Sequence, residues 1–254
     1  MQFVTPDFYR ERYFRKLKNL SRDTVLSRNL EPELVWVQEY LSRNAVVLEI
    51  GANVGSYLFQ YEEKLKPENI IAFEPNKELH RRLMRIFPAM RIFALALSDE
   101  NTVAAFKIPV INGKKITSRG TLKTEFQEKD EEKTILQKVK VIRLDDWAEL
   151  EHIRRIDFIK IDVEGNEMQT LKGAEKTIKK YRPTLMVEME QRHHQEPVWN
   201  LISSVAAWGY TPKYLERSSF ALRDLTETLV SSQNQEHVKN RAEYINNIIF
   251  IPKK

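Results

Sequence analysis

The sequence predicts an α/β fold in which helices cover both faces of a mostly parallel β-sheet. Between residues 44 and 190, short apolar runs alternate with polar-faced stretches of helical length, which is the pattern of βαβ units. Strands of such a sheet are buried on both faces and are largely apolar, as "NAVVLEIG" is at residues 44–51. Near the C-terminus, two strand-like runs follow one another without a full helix between them, which predicts an antiparallel edge.

Accessory helices are predicted before this alternation begins. Thr5 and Pro6 are typical of a helix start, and aromatic and leucine residues recur at helical spacing over residues 9–20. A second helix is predicted over residues 30–42. The predicted strands that follow cover residues 44–51, 69–75, 90–99, 156–165 and 183–190, with helices at 53–65, 76–87 and 166–181, and the last two strands are "YTPKYLER" and residues 243–253.

Residues 100–144 interrupt the alternation. The stretches "TVAAFKIPV" and "ILQKVKVIRL" have strand character and flank a polar, glycine-containing segment, which predicts an inserted antiparallel excursion. The chain shows no internal repeat and no linker-like composition. We therefore expect one domain at residues 44–254, preceded by accessory helices at residues 1–43 that form part of the same unit.

Composition excludes several kinds of chemistry. The 254 residues include no cysteine, which removes cysteine nucleophiles, cysteinyl zinc sites and cysteine-held iron–sulfur clusters. The N-terminus lacks the apolar core of a signal peptide, and no stretch is as long and apolar as a membrane span. We therefore expect a cytoplasmic protein.

The net charge of +5 is concentrated near the N-terminus. Residues 8–28 hold seven Lys and Arg residues and two acidic ones, a difference of five. This segment is interpreted as an accessory helix with a solvated basic face, and weak contact with an anionic surface is the alternative. No nucleic-acid reader motif follows it, so no nucleic-acid partner is expected.

The loop "LEIGANVGS" at residues 48–56 predicts the cofactor. A triphosphate-binding loop needs a lysine after its last glycine, whereas Gly55 is followed by Ser56. A dinucleotide loop needs a glycine where Asn53 stands, and Glu49 at the strand end would repel a pyrophosphate. S-adenosylmethionine (SAM) has no phosphate, and its cationic methionyl end suits a glutamate. The loop, including Gly51, therefore favours SAM over NAD.

Two further strand ends are assigned to the cofactor. Glu74 closes the second predicted strand, where its carboxylate can accept hydrogen bonds from both ribose hydroxyls of either cofactor. Leu97 and Ser98 end the third predicted strand, where backbone and polar groups would face the adenine. A core strand end explains these last two residues almost as well.

The motifs of this chain, taken in order, resemble those of FkbM-type methyltransferases. They span residues 44–253 and are "VVLEIGANVGS", "IAFEPN", "ALSDE", "IRLDDW", "IDFIKIDVEGNEMQTLKGA", "PTLMVEME" and "YINNIIFIP". The resemblance implies a class I SAM-methyltransferase fold, which is a Rossmann-like three-layer sandwich with a seven-stranded sheet. It also implies O-methylation of a hydroxyl on a sugar, glycolipid or natural product. Residues that match the SAM-site motif are Glu49, Gly51, Asn53, Gly55 and Glu74, and Asp162 matches the acid that ends the fourth strand.

Charged residues mark a candidate catalytic edge. In "FIKIDVEG", Lys160, Asp162 and Glu164 alternate with apolar residues, although a central parallel strand should be apolar on both faces. The neighbouring strand brings Glu188 to the same edge, followed by His193. Lys160 and Glu164 have an ordinary interpretation, as an internal ion pair and a helix cap.

The catalytic assignments follow from what methyl transfer to an alcohol requires. The acceptor must be aligned with the methyl group and must lose a proton. We assign Asp162 to orient the SAM methionyl end or the acceptor, and His193 (less favourably His194) to take the proton, with Glu188 beside them. A polar helix entry is the alternative interpretation of these histidines.

Several alternatives remain open at this stage. No metal ligands are assigned, although a Mg²⁺ ion held by Asp162 and Glu188 is a second possible mechanism. The chain has no "NPPY"-like motif, which disfavours amine methylation and leaves oxygen as the expected acceptor atom. The expected partner is a small-molecule or glycan acceptor. The rival functions are an NAD-dependent oxidoreductase and a non-catalytic SAM-fold or RNA-associated binding protein.

Overall fold

The computed structural model describes residues 6–233 and 244–253. The predicted helix start at Thr5 and part of the polar C-terminal connection lie outside this range. The strands are β1 (Val47–Ile50), β2 (Ile70–Phe73), β3 (Arg91–Phe93), β4 (Leu95–Leu97), β5 (Thr102–Ile111), β6 (Lys114–Lys115), β7 (Lys133–Ile142), β8 (Phe158–Ile161), β9 (Thr184–Glu188), β10 (Tyr210–Glu216), β11 (Ala221–Asp224) and β12 (Asn247–Pro252). The helices are α1 (Pro6–Tyr13), α2 (Arg22–Ser27), α3 (Glu33–Tyr40), α4 (Ser56–Glu62), α5 (Lys77–Ile86), α6 (Leu144–Leu150), α7 (Glu167–Lys172), α8 (Glu175–Tyr181), α9 (Val198–Ala206) and α10 (Glu227–Ser231).

The main sheet confirms the predicted α/β class. Its strand order is β11-β10-β12-β9-β8-β1-β2-β3. The strands from β9 to β3 are parallel, and β12, β10 and β11 add an antiparallel edge, as predicted. The sheet has eight strands rather than seven, because β11 folds back onto β10 as a hairpin. β11 was not predicted because it includes exposed charged residues, such as Arg223 and Asp224, and so lacks the apolar pattern of a strand.

Helices pack on both faces of this sheet, as a three-layer sandwich requires. Val47 of β1 belongs to the core beneath α3, α4 and α5, whereas Leu48 belongs to the core beneath α6, α8 and α9. The alternation of strand side chains explains this division. No helix in the described part of the chain is long and apolar enough to cross a bilayer.

A second sheet lies beside the first, with the order β4-β7-β5-β6. β5 and β7 form a long antiparallel pair, in which Thr102 pairs with Val141 and Val110 with Lys133. The predicted strand at 90–99 is therefore two strands, because the chain passes from the main sheet to the second sheet at Ala94.

Three other predicted elements are shorter than expected. The strand at 156–165 ends at Ile161, because Glu164 and Gly165 have positive φ angles of 52° and 101°. The helix at 166–181 is interrupted at Gly173, where a Cβ atom would lie 1.9 Å from the Ser98 carbonyl oxygen. The N-terminal basic segment forms α1 and α2 instead of one helix, with Asn19 between them at φ 51°.

Candidate active site

The loop after β1 is shaped by its two glycines. Gly51 has φ 89°, and a Cβ atom there would lie 1.8 Å from the carbonyl oxygen of Asp162. Gly55 precedes α4 with φ 86°, and a Cβ atom there would lie 2.8 Å from the side chains of Leu83 and Phe87. Gly51 therefore allows the ends of β1 and β8 to meet, and Gly55 allows α4 to pack on α5.

Glu74 is held at the end of β2 by two backbone amides. The N–H of Asn53 donates to Glu74 Oε2 at 2.6 Å, and the N–H of Asn76 donates to Oε1 at 2.8 Å. Burial raises the pKa of Glu74 to about 7, although both hydrogen bonds favour the carboxylate. Near neutral pH this carboxyl group is therefore close to its titration point.

A cleft opens between the carboxyl ends of β1, β2 and β8 and the second sheet. Its main-sheet side includes Gly51, Asn53, Glu74 and Asp162, and its other side includes Leu97. Residues 117–122 lie across it, and its volume is about 50 Å³. In this conformation the cleft is too small to enclose a ligand as large as SAM.

The walls of this cleft match the chemistry of an adenosyl cofactor. Glu74 presents a carboxylate for hydroxyl groups, while Leu97 and Phe106 supply apolar surface. Asn53 Oδ1 is buried and has no hydrogen-bond partner within the described chain, so an acceptor atom is available there. These residues fit SAM.

Three of the residues predicted to bind the cofactor are not among those that line the cleft. Glu49 is 2% exposed, accepts a hydrogen bond from the Tyr61 hydroxyl at 2.9 Å and lies 3.7 Å from Lys160 Nζ. Ser98 Oγ accepts a hydrogen bond from Asn166 Nδ2 at 3.3 Å. Gly55 is the third. The side chain of Ser98 contacts Asn166, which lines the cleft, whereas Glu49 contacts Tyr61 and Lys160, which do not.

Lys160 forms a buried ion pair, as one interpretation of the sequence proposed. It is 2% exposed, and its Nζ lies 2.9 Å from Asp162 Oδ2 and 4.6 Å from the centre of the Tyr57 ring. Burial opposes its positive charge, but Asp162 and Glu49 outweigh this effect and raise the pKa of Lys160. The lysine therefore stays charged and fixes one oxygen of Asp162.

The predicted acidic edge is present where β8 and β9 end. One carboxylate oxygen from each of Asp162, Glu164 and Glu188 lies within 4.8 Å of the others. Burial and the Asp162 charge raise the pKa of Glu188 well above its usual range, whereas Lys160 and a hydrogen bond from Glu188 hold the pKa of Asp162 low despite its burial. The two carboxyl groups therefore differ: the surroundings of Asp162 favour its charged form, and those of Glu188 favour its neutral form.

His193 is buried beside this edge. Its side chain is 5% exposed, and its ring packs edge-on against Phe126 with centroids 5.1 Å apart. Burial and the neighbouring Arg192 lower the pKa of His193 to about 3. The imidazole is therefore neutral near pH 7 and a weak base. His194 Nε2 lies 3.4 Å from Glu167 Oε2.

The segment between β6 and β7 contributes contacts that the sequence did not predict. Thr121 Oγ1 donates to the Glu164 carbonyl oxygen at 2.8 Å, and Lys123 Nζ donates to the His193 carbonyl oxygen at 3.1 Å. Glu128 lies 3.0 Å from Arg192. The segment is polar and has no regular periodicity, so no sequence signal placed it against the strand ends.

Comparisons with known proteins support the same assignment. Residues 49–221 match the family described as Methyltransferase FkbM domain. The 2-O-methyltransferase NoeI of Sinorhizobium fredii (strain NBRC 101917 / NGR234) is 28% identical over 146 residues, which cover 54% of this chain and 60% of NoeI. The AMB antimetabolite synthetase AmbE of Pseudomonas aeruginosa is 25% identical over 177 residues, which cover 55% of this chain and 8% of AmbE. The chain thus spans less than two thirds of each of these relatives.

A solved structure shares the fold. Methyltransferase FkbM from Methylobacillus flagellatus KT superposes with a TM-score of 0.50 at 13% identity, over 96% of this chain and 60% of that one. This likeness concerns the fold alone. The family match spans more than half of the chain and includes Gly51, Glu74 and Asp162. With a cleft whose walls suit an adenosyl group, this match shows that the chain belongs to the FkbM family of SAM-dependent methyltransferases.

Proposed function

We propose that the protein transfers the methyl group of SAM to a hydroxyl oxygen of a small-molecule or glycan acceptor. The observation that carries this proposal is the position of Asp162, which lines the cofactor cleft and also belongs to the acidic edge. An acceptor hydroxyl group placed between the cofactor cleft and the acidic edge can donate a hydrogen bond to a carboxylate. The name of the relative NoeI, 2-O-methyltransferase, agrees with an oxygen acceptor.

The cofactor residues have separate roles in this proposal. Glu74 would accept hydrogen bonds from the ribose hydroxyls, and Asn53 Oδ1 offers a further acceptor. Gly51 would let the end of β1 lie close to Asp162, and Leu97 would supply apolar surface for the adenine. Bound SAM would supply an electrophilic methyl group.

The residues of the acidic edge would position the acceptor and receive its proton. Lys160 Nζ lies 2.9 Å from Asp162 Oδ2, so the orientation of Asp162 is fixed before the acceptor arrives. His193 is neutral and can accept a proton, but its lowered pKa makes it a weak base. We therefore expect alignment of the acceptor to contribute more to the rate than proton removal by His193.

Thermal stabilisation by S-adenosylhomocysteine, NAD and RNA, measured in parallel, tests the cofactor. S-adenosylhomocysteine at 100 times its dissociation constant should stabilise the protein by about 2.7 kcal/mol. Glu74→Gln should reduce this effect, and the exposed Glu63→Gln is the matched control. Stabilisation by NAD alone would refute the proposal.

Incubation with labelled SAM and a panel of hydroxylated sugars and glycolipid fragments tests the acceptor. The label should appear in an ether-linked methyl group, identified by mass spectrometry after hydrolysis. Label transferred to an amine in a matched amino-sugar panel, with none on oxygen, would show that the acceptor atom is wrong.

The basic N-terminal segment remains a second, weaker binding surface in this proposal. Several of its basic side chains are engaged: Arg10 contacts Glu62, Lys18 contacts Glu11 and Arg22 contacts Glu39. The exposed residues Arg12, Arg15 and Lys16 could still contact an anionic surface weakly. Salt-sensitive binding to vesicles with anionic lipid, lost on triple substitution of these residues by Gln, would test this.

A further inference from the structure

The acidic edge has the geometry of a cation site. Asp162 follows β8, Glu164 lies in the next turn, and Glu188 ends the neighbouring strand β9, so the parallel strands bring their carboxyl ends together. Within this group the three carboxylate oxygens lie no more than 4.8 Å apart.

Each of these carboxylates is anchored through one oxygen. Lys160 Nζ lies 2.9 Å from Asp162 Oδ2, and Asn246 Nδ2 donates to Glu188 Oε1 at 2.5 Å. Arg192 Nη2 lies 3.2 Å from Glu164 Oε2. The anchors fix the orientation of the carboxylates, and the second oxygen of each is left to bind a ligand.

A second observation comes from His193. Its Nε2 atom lies 3.5 Å from Glu164 Oε2 and has no hydrogen-bond partner within the described chain. The side chain is 95% buried, since it is 5% exposed. Buried polar atoms nearly always have a partner, so a ring nitrogen that faces the cluster without one indicates a missing ligand.

The donor set selects the kind of cation. Carboxylate oxygens are the preferred ligands of Mg²⁺ and Mn²⁺. We propose that Asp162, Glu164 and Glu188 bind one divalent cation of this type, with His193 facing it. The positive charges of Lys160 and Arg192 lie beside three carboxylates, so the affinity is expected to be moderate.

The role of the cation rests on the proposed function, but its binding does not. Beside the cofactor cleft, a divalent cation would contact the acceptor oxygen and lower the pKa of the acceptor hydroxyl. The same contact would align this oxygen with the methyl group. Cation binding can be measured without any acceptor, which separates the two proposals.

The experiment titrates the full chain with Mn²⁺ and follows free Mn²⁺ by electron paramagnetic resonance. One Mn²⁺ per chain should bind and should be displaced by Mg²⁺. Glu164→Gln and Glu188→Gln should each weaken binding by about tenfold or more, whereas the exposed Glu149→Gln should leave it unchanged. Absence of binding to the wild type, or equal affinity in all variants, would overturn the proposal.

A second measurement needs no variant that might misfold. Bound Mn²⁺ should broaden the NMR resonances of the His193 ring and leave those of His80, on α5, sharp. Broadening of His80 alone would overturn the site. Mn²⁺ binding here without methyl transfer to any hydroxyl would keep the cation site and refute the proposed function. Full methyl transfer after chelation, in a protein that does not bind Mn²⁺, would keep the proposed function and refute the cation site.

Discussion

Replacing Glu33 by glutamine should stabilise the protein, and more so at high pH. Glu33 is 3% exposed at the start of α3, and its Oε2 atom has no hydrogen-bond partner within the described chain. Burial, assisted by the charge of Glu31, raises the pKa of Glu33 from 4.5 to about 7, against the opposing effect of Arg217. The folded protein therefore binds a proton that the unfolded chain releases between these two values.

The sign and size of the effect follow from this difference. Because the pKa is higher in the folded state, stability falls as the pH rises from 4.5 to about 7 and stays low above that range. At about 1.4 kcal/mol per pH unit, the loss at pH ~8 is about 3 kcal/mol, and at pH ~5 it is about 1 kcal/mol. Glutamine carries no charge at either pH and removes this loss.

Urea unfolding of the wild type and Glu33→Gln at both pH values measures the effect. Glu33→Gln should raise the free energy of unfolding by about 2 kcal/mol more at pH ~8 than at pH ~5. The exposed Glu63→Gln, on α4's C-terminal side, should show no such difference. An equal change in Glu33→Gln at both pH values would refute the assignment of a protonated, buried Glu33.

Three further outcomes are expected. Affinity for S-adenosylhomocysteine, measured by calorimetry, should fall as the pH drops below about 7, because Glu74 then takes up a proton, and Glu74→Gln should abolish this dependence. Gly51→Ala should prevent stable folding, seen as a lost cooperative transition, whereas Gly113→Ala should cost only about 1 kcal/mol, since no atom lies within 4 Å of its added Cβ. Lys160→Met should lower the free energy of unfolding by about 3–5 kcal/mol because it leaves buried carboxylates unpaired. If Lys160 and Glu49 form an ion pair, adding Glu49→Gln to this variant should recover part of the loss.

The cofactor side of the site was the more predictable part. Gly51 and Glu74 belong to short strand–turn segments, and the carboxyl end of a parallel strand places such residues at the ligand edge whatever surrounds them. The α/β class, the antiparallel edge and the SAM cofactor are confirmed. The individual site residues stay predictions, and Glu49 shows why: its side chain faces Lys160 through strand pairing, which the sequence does not state.

The acceptor side was decided by contacts between distant segments. Glu164 leaves the strand because of its positive φ angle, and Arg192 and His193 approach it from a separate loop. Residues 117–122 reach the cleft from the second sheet, in which β5 and β7 pair over nine residues each.

The sequence by itself determined the class of the fold and the cofactor, and it predicted which strand ends would face that cofactor. Hydrophobic periodicity and turn residues act over a few neighbouring positions, so they can be read along the chain. The eighth strand, the Lys160–Glu49 pair and the convergence of Asp162, Glu164 and Glu188 required the tertiary structure. Burial and charge at these positions depend on residues far apart in sequence, and only the packed chain brings them within reach of one another.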